Sequence, residues 1–432
     1  MNVDDLIIVS VDDHVVEPPS MFEKHLPAAY RDTAPRFFTE ADGSGYWLFE
    51  GKKIPNIGLN AVAGRVPEEY GCEPQSLEEM RAGAYDIHAR IGDMNVNGIL
   101  GSICFGSFAG FEGALYIGAK DKQNALAVIR AYNDWHIDEW CGAYPGRFIP
   151  MALLPLWDVA LCVQEVKRVV AKGCRAVTFP DNPAARGLAS IHDESWEAFW
   201  RICAEEEVVI CCHIGTGSAP AHPSMDSPID AWIIGMPMAI ANSAADWLHL
   251  TALKRYPKLK IALSEGGIGW VPYFLERAEF THQQHKAWTF ADFGDRTPTQ
   301  VFQDHFLTCF IDDKFGVANR HKVGLQTICY ECDYPHSDAT WPRSPERLFE
   351  NFVGVPDDEI DAMTHLNAMR AFHYDPFAIF GRENCTVGAL RAQAQHIDIT
   401  PRSFNAGKPK KSNGRSVVTS GDVLKLFQHE DA

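Results

Sequence analysis

The chain has no surplus of positive charge. Its 39 Lys and Arg face 57 Asp and Glu, a formal net charge of -18. Nucleic-acid binding rests on neutralising phosphates with Lys and Arg, and anionic membrane surfaces select the same residues, so neither partner is expected. No uninterrupted apolar stretch nears the ~20 residues that span a bilayer. CxxC pairs are absent. The 12 cysteines are scattered from Cys72 to Cys385, and Cys104, Cys174, Cys211, Cys212, Cys309 and Cys329 lie inside apolar runs. That pattern reads as buried free thiols in a reducing compartment. Met1-Asn2-Val3-Asp4-Asp5 lacks the basic and long apolar segments of a secretory signal, and a cytoplasmic location is expected. No internal repeat, P-loop, flavin motif or Ser/His/Asp signature is present.

What the chain does have is 432 residues of ordinary globular composition, 46% hydrophobic, and eight short apolar runs. These are Leu6–Val11, Ile99–Phe105, Phe148–Leu154, Cys174–Phe179, Val208–Cys212, Leu259–Leu263, Phe306–Ile311 and Thr327–Tyr330. They do not alternate polar with apolar, which is how strands covered on both faces of a parallel sheet read. Helical spacing lies between most of them, as in Ala125–Trp140, Leu161–Ala171 and Ser195–Glu206. Strand and helix repeated about eight times predict an α/β fold, a (β/α)8 TIM barrel. An open doubly wound sheet is the competing architecture, but its first turn is normally Gly-rich, and here that turn is Asp12-Asp13-His14-Val15-Val16-Glu17-Pro18-Pro19. The barrel domain is assigned to residues 1–400, with an insertion at about 20–85 that includes a hairpin over Tyr46–Lys53. Residues 401–432 form a C-terminal extension, basic from Lys408 to Arg415 with an apolar patch at Val423, Leu424, Leu426 and Phe427. It reads as a mobile end or as an arm for a neighbouring subunit.

Four of the runs end in metal-ligand chemistry: Asp12-Asp13-His14, His213, Ser264-Glu265 and Glu331-Cys332-Asp333. In a barrel, polar residues at the C-terminal strand ends build the pocket. The i, i+2 spacing of Asp12 and His14 puts both on one side of an extended segment. Each residue also has an ordinary reading. Asp12 or Asp13 could cap a helix, His213 could be a hydrogen-bonded core imidazole, and Glu265 and Asp333 could be loop or turn residues. Their joint placement at the ends of four runs favours a divalent-metal site of the Zn, Mn or Fe kind.

The stretches Ser10-Val11-Asp12-Asp13-His14, the His213 strand, Glu265-Gly-Gly-Ile-Gly-Trp-Val-Pro and Asp333-Tyr334-Pro335 resemble the second amidohydrolase group, which contains the aminocarboxymuconate semialdehyde and γ-resorcylate decarboxylases. The resemblance implies a metal-dependent barrel and carries ligand roles to Asp12, His14, His213 and Asp333. One position departs from it. Where those enzymes usually place a catalytic His before Gly-Gly, this chain has Glu265. A carboxylate there can act as a base or bridge a second cation. With His336 following Asp333 closely, Asp12, His14, His213, Glu265, Asp333 and His336 form a set able to hold two ions, for which oxygen-rich ligation favours Mn and Fe over Zn. This is similar to the smaller dinuclear iron or manganese monooxygenase branch exemplified by isobutyrate hydroxylase, whose N-terminal pattern Ser10-Val-Asp-Asp-His-Val-Val-Glu-Pro-Pro19 resembles.

The favoured expectation is therefore O2-dependent hydroxylation of a small organic acid, with Glu265, Asp333 and His336 as catalytic groups. The alternative is a mononuclear Zn or Mn decarboxylase or hydrolase. A non-catalytic barrel within a hetero-oligomer is a third reading. Arg90 and Arg175 are candidates to clamp a substrate carboxylate, and Trp270, Trp341 and Phe108 to line an apolar pocket. His136, on an apolar helix stripe, reads as structural, and the Pro-rich loop around His222 and Asp226 as a lid. The expected partners are a small-molecule substrate and further copies of the chain or related subunits.

Overall fold

In the computed structural model, which describes residues 1–217, 221–404, 407 and 417–427, every one of the eight apolar runs yields a strand of one sheet. Strand β1 is Val9–Val15. The insertion contributes a small separate sheet of β2 (Arg36–Thr39), β3 (Gly45–Phe49) and β4 (Lys52–Ile54). The main sheet continues with β5 (Gly101–Gly106), β6 (Met151–Ala152), β7 (Ala176–Thr178) and β8 (Val209–His213). It ends with β9 (Lys260–Ser264), β10 (Phe306–Phe310) and β11 (Ile328–Tyr330). Its order is β5-β1-β11-β10-β9-β8-β7-β6, and the pairings are parallel. The two outer strands meet. Ser102 donates its N–H to the Arg147 carbonyl and accepts from the Ile149 N–H at 3.0 Å. The sheet thus closes into the expected (β/α)8 barrel and leaves no free edge.

Helices follow the strands and cover the outside. Asp86, Asp121 and Asp158 accept backbone N–H groups at the starts of Ile87–Asn97, Lys122–Asp134 and Val159–Val170, satisfying donors that a helix start leaves unpaired. His136 is buried against the Cys104 carbonyl at 3.1 Å, in keeping with a structural role. A separate inner core, including Val9, Val11, Ile103, Val209, Cys211 and Cys309, fills the barrel itself. All 12 cysteines are free, and 11 of them are buried. No helix of the described residues is long and apolar enough to cross a membrane.

Strand β1 differs from expectation in a way that matters for the site. The apolar run stops at Val11, but the strand continues through Asp12, Asp13 and His14. Backbone pairing explains this: the Asp333 N–H donates to the Asp12 carbonyl at 2.8 Å and the His14 N–H to the Tyr334 carbonyl at 2.7 Å. The register also slips by one residue, since Ser10 pairs with Ser102 but Asp13 with Cys104. Val9 and Val11 face the barrel interior, and simple alternation would send Asp13 in after them. The extra residue, a β-bulge, reverses the alternation. Asp12 and His14 point inward, 3.5 Å apart, and Asp13 points outward to Ser10 and Ser102.

The insertion carries the expected β3–β4 hairpin, extended by β2. Trp47 is fully buried and stacks on Phe108 at 4.6 Å, with Phe37 at 5.4 Å and Phe22 at 6.1 Å edge-on. Phe108, expected to line the substrate pocket, packs beneath the insertion instead. Val62 and Ala63 donate to the Pro335 carbonyl, both at 2.9 Å, clamping the insertion to the loop after β11. The basic run Lys408–Arg415 lies outside the described residues. Beyond that run the chain contacts residues 227 and 229. Val418 accepts from Ile229 at 3.0 Å and Ser420 donates to Ser227 at 2.9 Å, and the helix Ser420–Phe427 begins there.

Replacing Trp47 with Ala removes the aromatic that joins the insertion to the barrel. The expected loss is about 3–5 kcal/mol of unfolding free energy, measured by urea denaturation of the purified variant.

Candidate metal centre

The C-terminal ends of β1, β8, β9 and β11 converge. β1 brings Asp12 and His14, and β8 ends on His213. Glu265 follows β9 and Asp333 follows β11, and both take the left-handed backbone conformation, with φ of 59° and 57°. For residues other than glycine this conformation is uncommon and concentrates at functional sites. It turns each carboxylate towards the barrel axis where a regular strand would carry the chain past. His336 is held in the turn after Asp333 by its N–H to the Asp333 carbonyl at 2.8 Å.

The side chains meet at short range. His14 Nε2 lies 3.1 Å from Asp333 Oδ1, and His336 Nδ1 lies 2.8 Å from the same oxygen. His213 Nε2 is 3.0 Å from Glu265 Oε2 and 3.5 Å from Asp12 Oδ2. The rings of His14 and His336 stack at 3.6 Å. Eight of these buried atoms form no aligned hydrogen bond: both Asp12 oxygens, both His14 nitrogens, His213 Nε2, both Asp333 oxygens and His336 Nε2. Buried polar atoms are rarely left so, and a convergent orphaned set of imidazoles and carboxylates fits a divalent cation. The donors fall into two overlapping groups, Asp12–His14–His213 and His14–Glu265–Asp333–His336.

Electrostatics point the same way. Burial pushes Asp12 well above the usual carboxylate range, with Glu331, Glu265 and Asp13 adding to it against the pull of His213. Burial does the same to Asp333, helped by Glu265 and Asp12. Burial, with His336 and His213 nearby, holds His14 well below the ordinary imidazole value. His213 runs the other way: burial opposes its charge, yet Asp12 and Glu265 outweigh burial and lift it to about 9. The centre thus calls for positive charge beside His213 Nε2, and a divalent ion meets that demand. His213 Nδ1 donates to the Ile214 carbonyl at 2.7 Å, which leaves Nε2 as the nitrogen for ligation.

The structure brings Asp12, His14, His213, Glu265, Asp333 and His336 together as one cluster. Arg90 lies behind it rather than in its mouth. Fully buried, it donates to the His14 carbonyl at 2.5 Å and the Gly83 carbonyl at 3.2 Å, and its charge offsets that of Asp13. Arg90 therefore braces β1 and is not placed to clamp a substrate. Arg175 is at the wrong end. It immediately precedes β7, on the far face of the barrel, and donates to the Glu206 carbonyl at 2.7 Å. Trp270 starts the helix after β9 and donates to the Gly266 carbonyl at 2.9 Å; it braces the Glu265 loop. Trp341 is buried, donating to the Asp93 carbonyl at 3.1 Å, and does not line the mouth. Of the Pro-rich loop 219–228 read as a lid, residues 219 and 220 lie outside the described residues.

An aromatic that the sequence pattern does not mark lies against the cluster. Phe111, three residues beyond the candidate Phe108, packs 4.2 Å from the His213 ring and 4.7 Å from that of His14, with Phe105 5.0 Å from His213. Nothing in the local pattern separates Phe111 from Phe108; only the position of the insertion does.

The family model described as amidohydrolase matches residues 87–374. A 2-amino-3-carboxymuconate-6-semialdehyde decarboxylase of Dictyostelium discoideum is 24% identical over 162 residues, 36% of this chain and 42% of that protein. The chain therefore spans under half the length of this relative. A γ-resorcylate decarboxylase of a Rhizobium species is 24% identical over 275 residues, 59% of this chain and 79% of the relative. Among solved structures, a dihydroxybenzoic acid decarboxylase of Polaromonas sp. JS666, determined with bound manganese and an inhibitor, superposes with a TM-score of 0.52 at 21% identity, covering 68% of this chain and 89% of that one.

Two outcomes test this geometry. Metal analysis should find divalent ion in the purified protein that a chelator removes, and Asp12→Ala or His213→Ala should weaken its binding by tenfold or more. Arg90→Ala should cost about 3–5 kcal/mol by leaving Asp13 buried without its compensating charge, measured by chemical denaturation.

Proposed function

The chain belongs to the amidohydrolase family, and on that premise we propose that it is a metal-dependent decarboxylase of a small carboxylic acid. The observation that carries this reading is the convergence of Asp12, His14, His213 and Asp333, with buried atoms left orphaned, at the C-terminal end of the barrel. Both curated relatives are decarboxylases, and a structural neighbour holds manganese. Manganese or zinc at these four residues would act as a Lewis acid on the substrate.

The chain's own groups supply the rest. Loss of carbon dioxide leaves an electron pair on carbon that must take up one proton, so that RCOO⁻ and H⁺ become RH and CO2. Among the carboxylates of the cluster, Glu265 is the one that reaches the mouth: its side chain is 11% exposed, whereas those of Asp12 and Asp333 are 0%. We assign the proton transfer to Glu265, beside His213. Phe111 and Phe105 cover the imidazoles and keep water off that face.

A second reading rests on the second donor group. With Glu265 and His336 beside Asp333, the cluster has ligands for two ions, and so many carboxylates favour Mn or Fe. Such a centre suits the O2-dependent hydroxylation expected from the sequence. The names of the relatives lend support to decarboxylation and none to hydroxylation, so decarboxylation stands first.

Screening small aromatic and unsaturated carboxylic acids for CO2 release with and without oxygen separates the two. Decarboxylation expects equal rates under both conditions, and Glu265→Gln should lower kcat by about 10²–10⁴-fold. Turnover that stops under strict anaerobiosis, with two redox metals per chain, overturns it in favour of hydroxylation.

A further inference from the structure

Two side chains of the barrel interior, Glu331 and Cys309, have no part in either reading so far. Glu331 is 1% exposed and sits two residues before Asp333. Its Oε2 accepts the backbone N–H of Glu265 at 2.9 Å and faces the Cys309 thiol at 2.6 Å. Asp12, Cys309 and Glu331 are close enough to one another to suggest a further ion site. However, Oε2 of Glu331 is already taken by these two donors, so its geometry is that of an acceptor.

The residue that Glu331 holds is under strain. Glu265 adopts a φ of 59°, and its N–H would otherwise be buried without a partner, which is costly. The rest of its loop is fixed independently. Asp313 Oδ2 accepts the N–H groups of Ile268 at 2.9 Å and Gly269 at 2.5 Å. Gly266 lies against Ile240, where an added Cβ would come within 2.4 Å of Ile240 Cγ2. The far end of the loop is thus anchored by Asp313 and the near end by Glu331. The Glu331 contact reaches from the end of β11 past β10 to the end of β9, and it sets where the Glu265 carboxylate points.

We propose that Glu331 is a positioning residue: by accepting the Glu265 N–H it fixes the left-handed turn that aims the Glu265 carboxylate at His213 and the metal centre. The proposal rests on the reading that Glu265, besides its part in proton transfer, helps to hold the ion together with the four residues named above, and it does not depend on which reaction follows.

Binding of Co²⁺ to the metal-free enzyme, followed by visible absorbance without substrate, tests it through a double-mutant cycle. Glu331→Ala should weaken binding about tenfold or more and alter the Co²⁺ spectrum, as loss of an outer-shell partner typically does. Glu331→Gln keeps an oxygen acceptor and should stay within a few-fold of the parent. In a Glu265→Gln background, Glu331→Ala should have no further effect. The idea fails if Glu331→Gln loses as much affinity as Glu331→Ala, if the effect persists in the Glu265→Gln background, or if Glu265→Gln alone binds like the parent. Should Glu331→Ala not fold, Glu331→Met, which fills the space without an acceptor, takes its place: a tenfold loss beside a near-parental Glu331→Gln upholds the proposal, and near-parental binding by Glu331→Met overturns it. Because no substrate is used, an enzyme that passes this test but releases no CO2 would refute decarboxylation alone.

Discussion

The concentration of negative charge at one end of the barrel is the constraint on which the rest of the site depends. Asp12, Glu331 and Asp333 are wholly buried and Glu265 nearly so. Burial opposes the charge of Glu265, while the imidazoles of His213 and His336 favour it and hold its carboxyl below the usual carboxylate range. Removing charged carboxylates from water is expensive unless they are paired or bind a cation. The cluster meets that demand within itself by lifting His213 and by pushing Asp12 and Asp333 towards their neutral forms. The same arrangement makes it a strong receptor for divalent metal. Stability and function compete here, as is usual where a site stores strain.

Support for this charged centre comes from the layer around it. Arg90 fastens the backbone of β1 from behind through the His14 carbonyl. Asp13, turned outward, accepts the Tyr334 N–H at 3.0 Å and so ties β1 to the residue after Asp333. Asp313 and Glu331 hold the two ends of the Glu265 loop. Each contact orients a member of the cluster from outside it, as the layer around a metal site does. Phe111 and Phe105 complete it by shielding the imidazoles.

Much of this was legible in the chain. Continuous apolar runs of Ile, Val, Phe and Cys announce buried parallel strands because both faces of such strands are covered, and each run became a strand. The polar residues at four run ends marked members of the cluster because the barrel collects C-terminal strand ends on one face. The same logic places Arg175: it lies at the start of the run Cys174–Phe179, just before β7, and so at the opposite face. Arg90 was less accessible, since its partner is a backbone carbonyl on another element, and backbone positions leave no trace in a sequence. The choice between Phe108 and Phe111 turned on Trp47, some sixty residues away in a separate sheet.

The sequence by itself determined the number of strands, their burial on both faces, the family and the residue types gathered at the barrel mouth. These follow from local composition and from a topology that is nearly obligatory for the pattern. The tertiary structure alone decided which members of each motif face inward. In Asp12-Asp13-His14, alternation from Val9 and Val11 would have turned Asp13 into the barrel. The one-residue slip against β5 selected Asp12 and His14 instead. At the ends of β9 and β11, left-handed turns aimed Glu265 and Asp333. A bulge depends on the register of the neighbouring strand, and a left-handed turn needs partners such as Glu331 to hold it. Both are set by contacts distant in sequence, which no local period can encode.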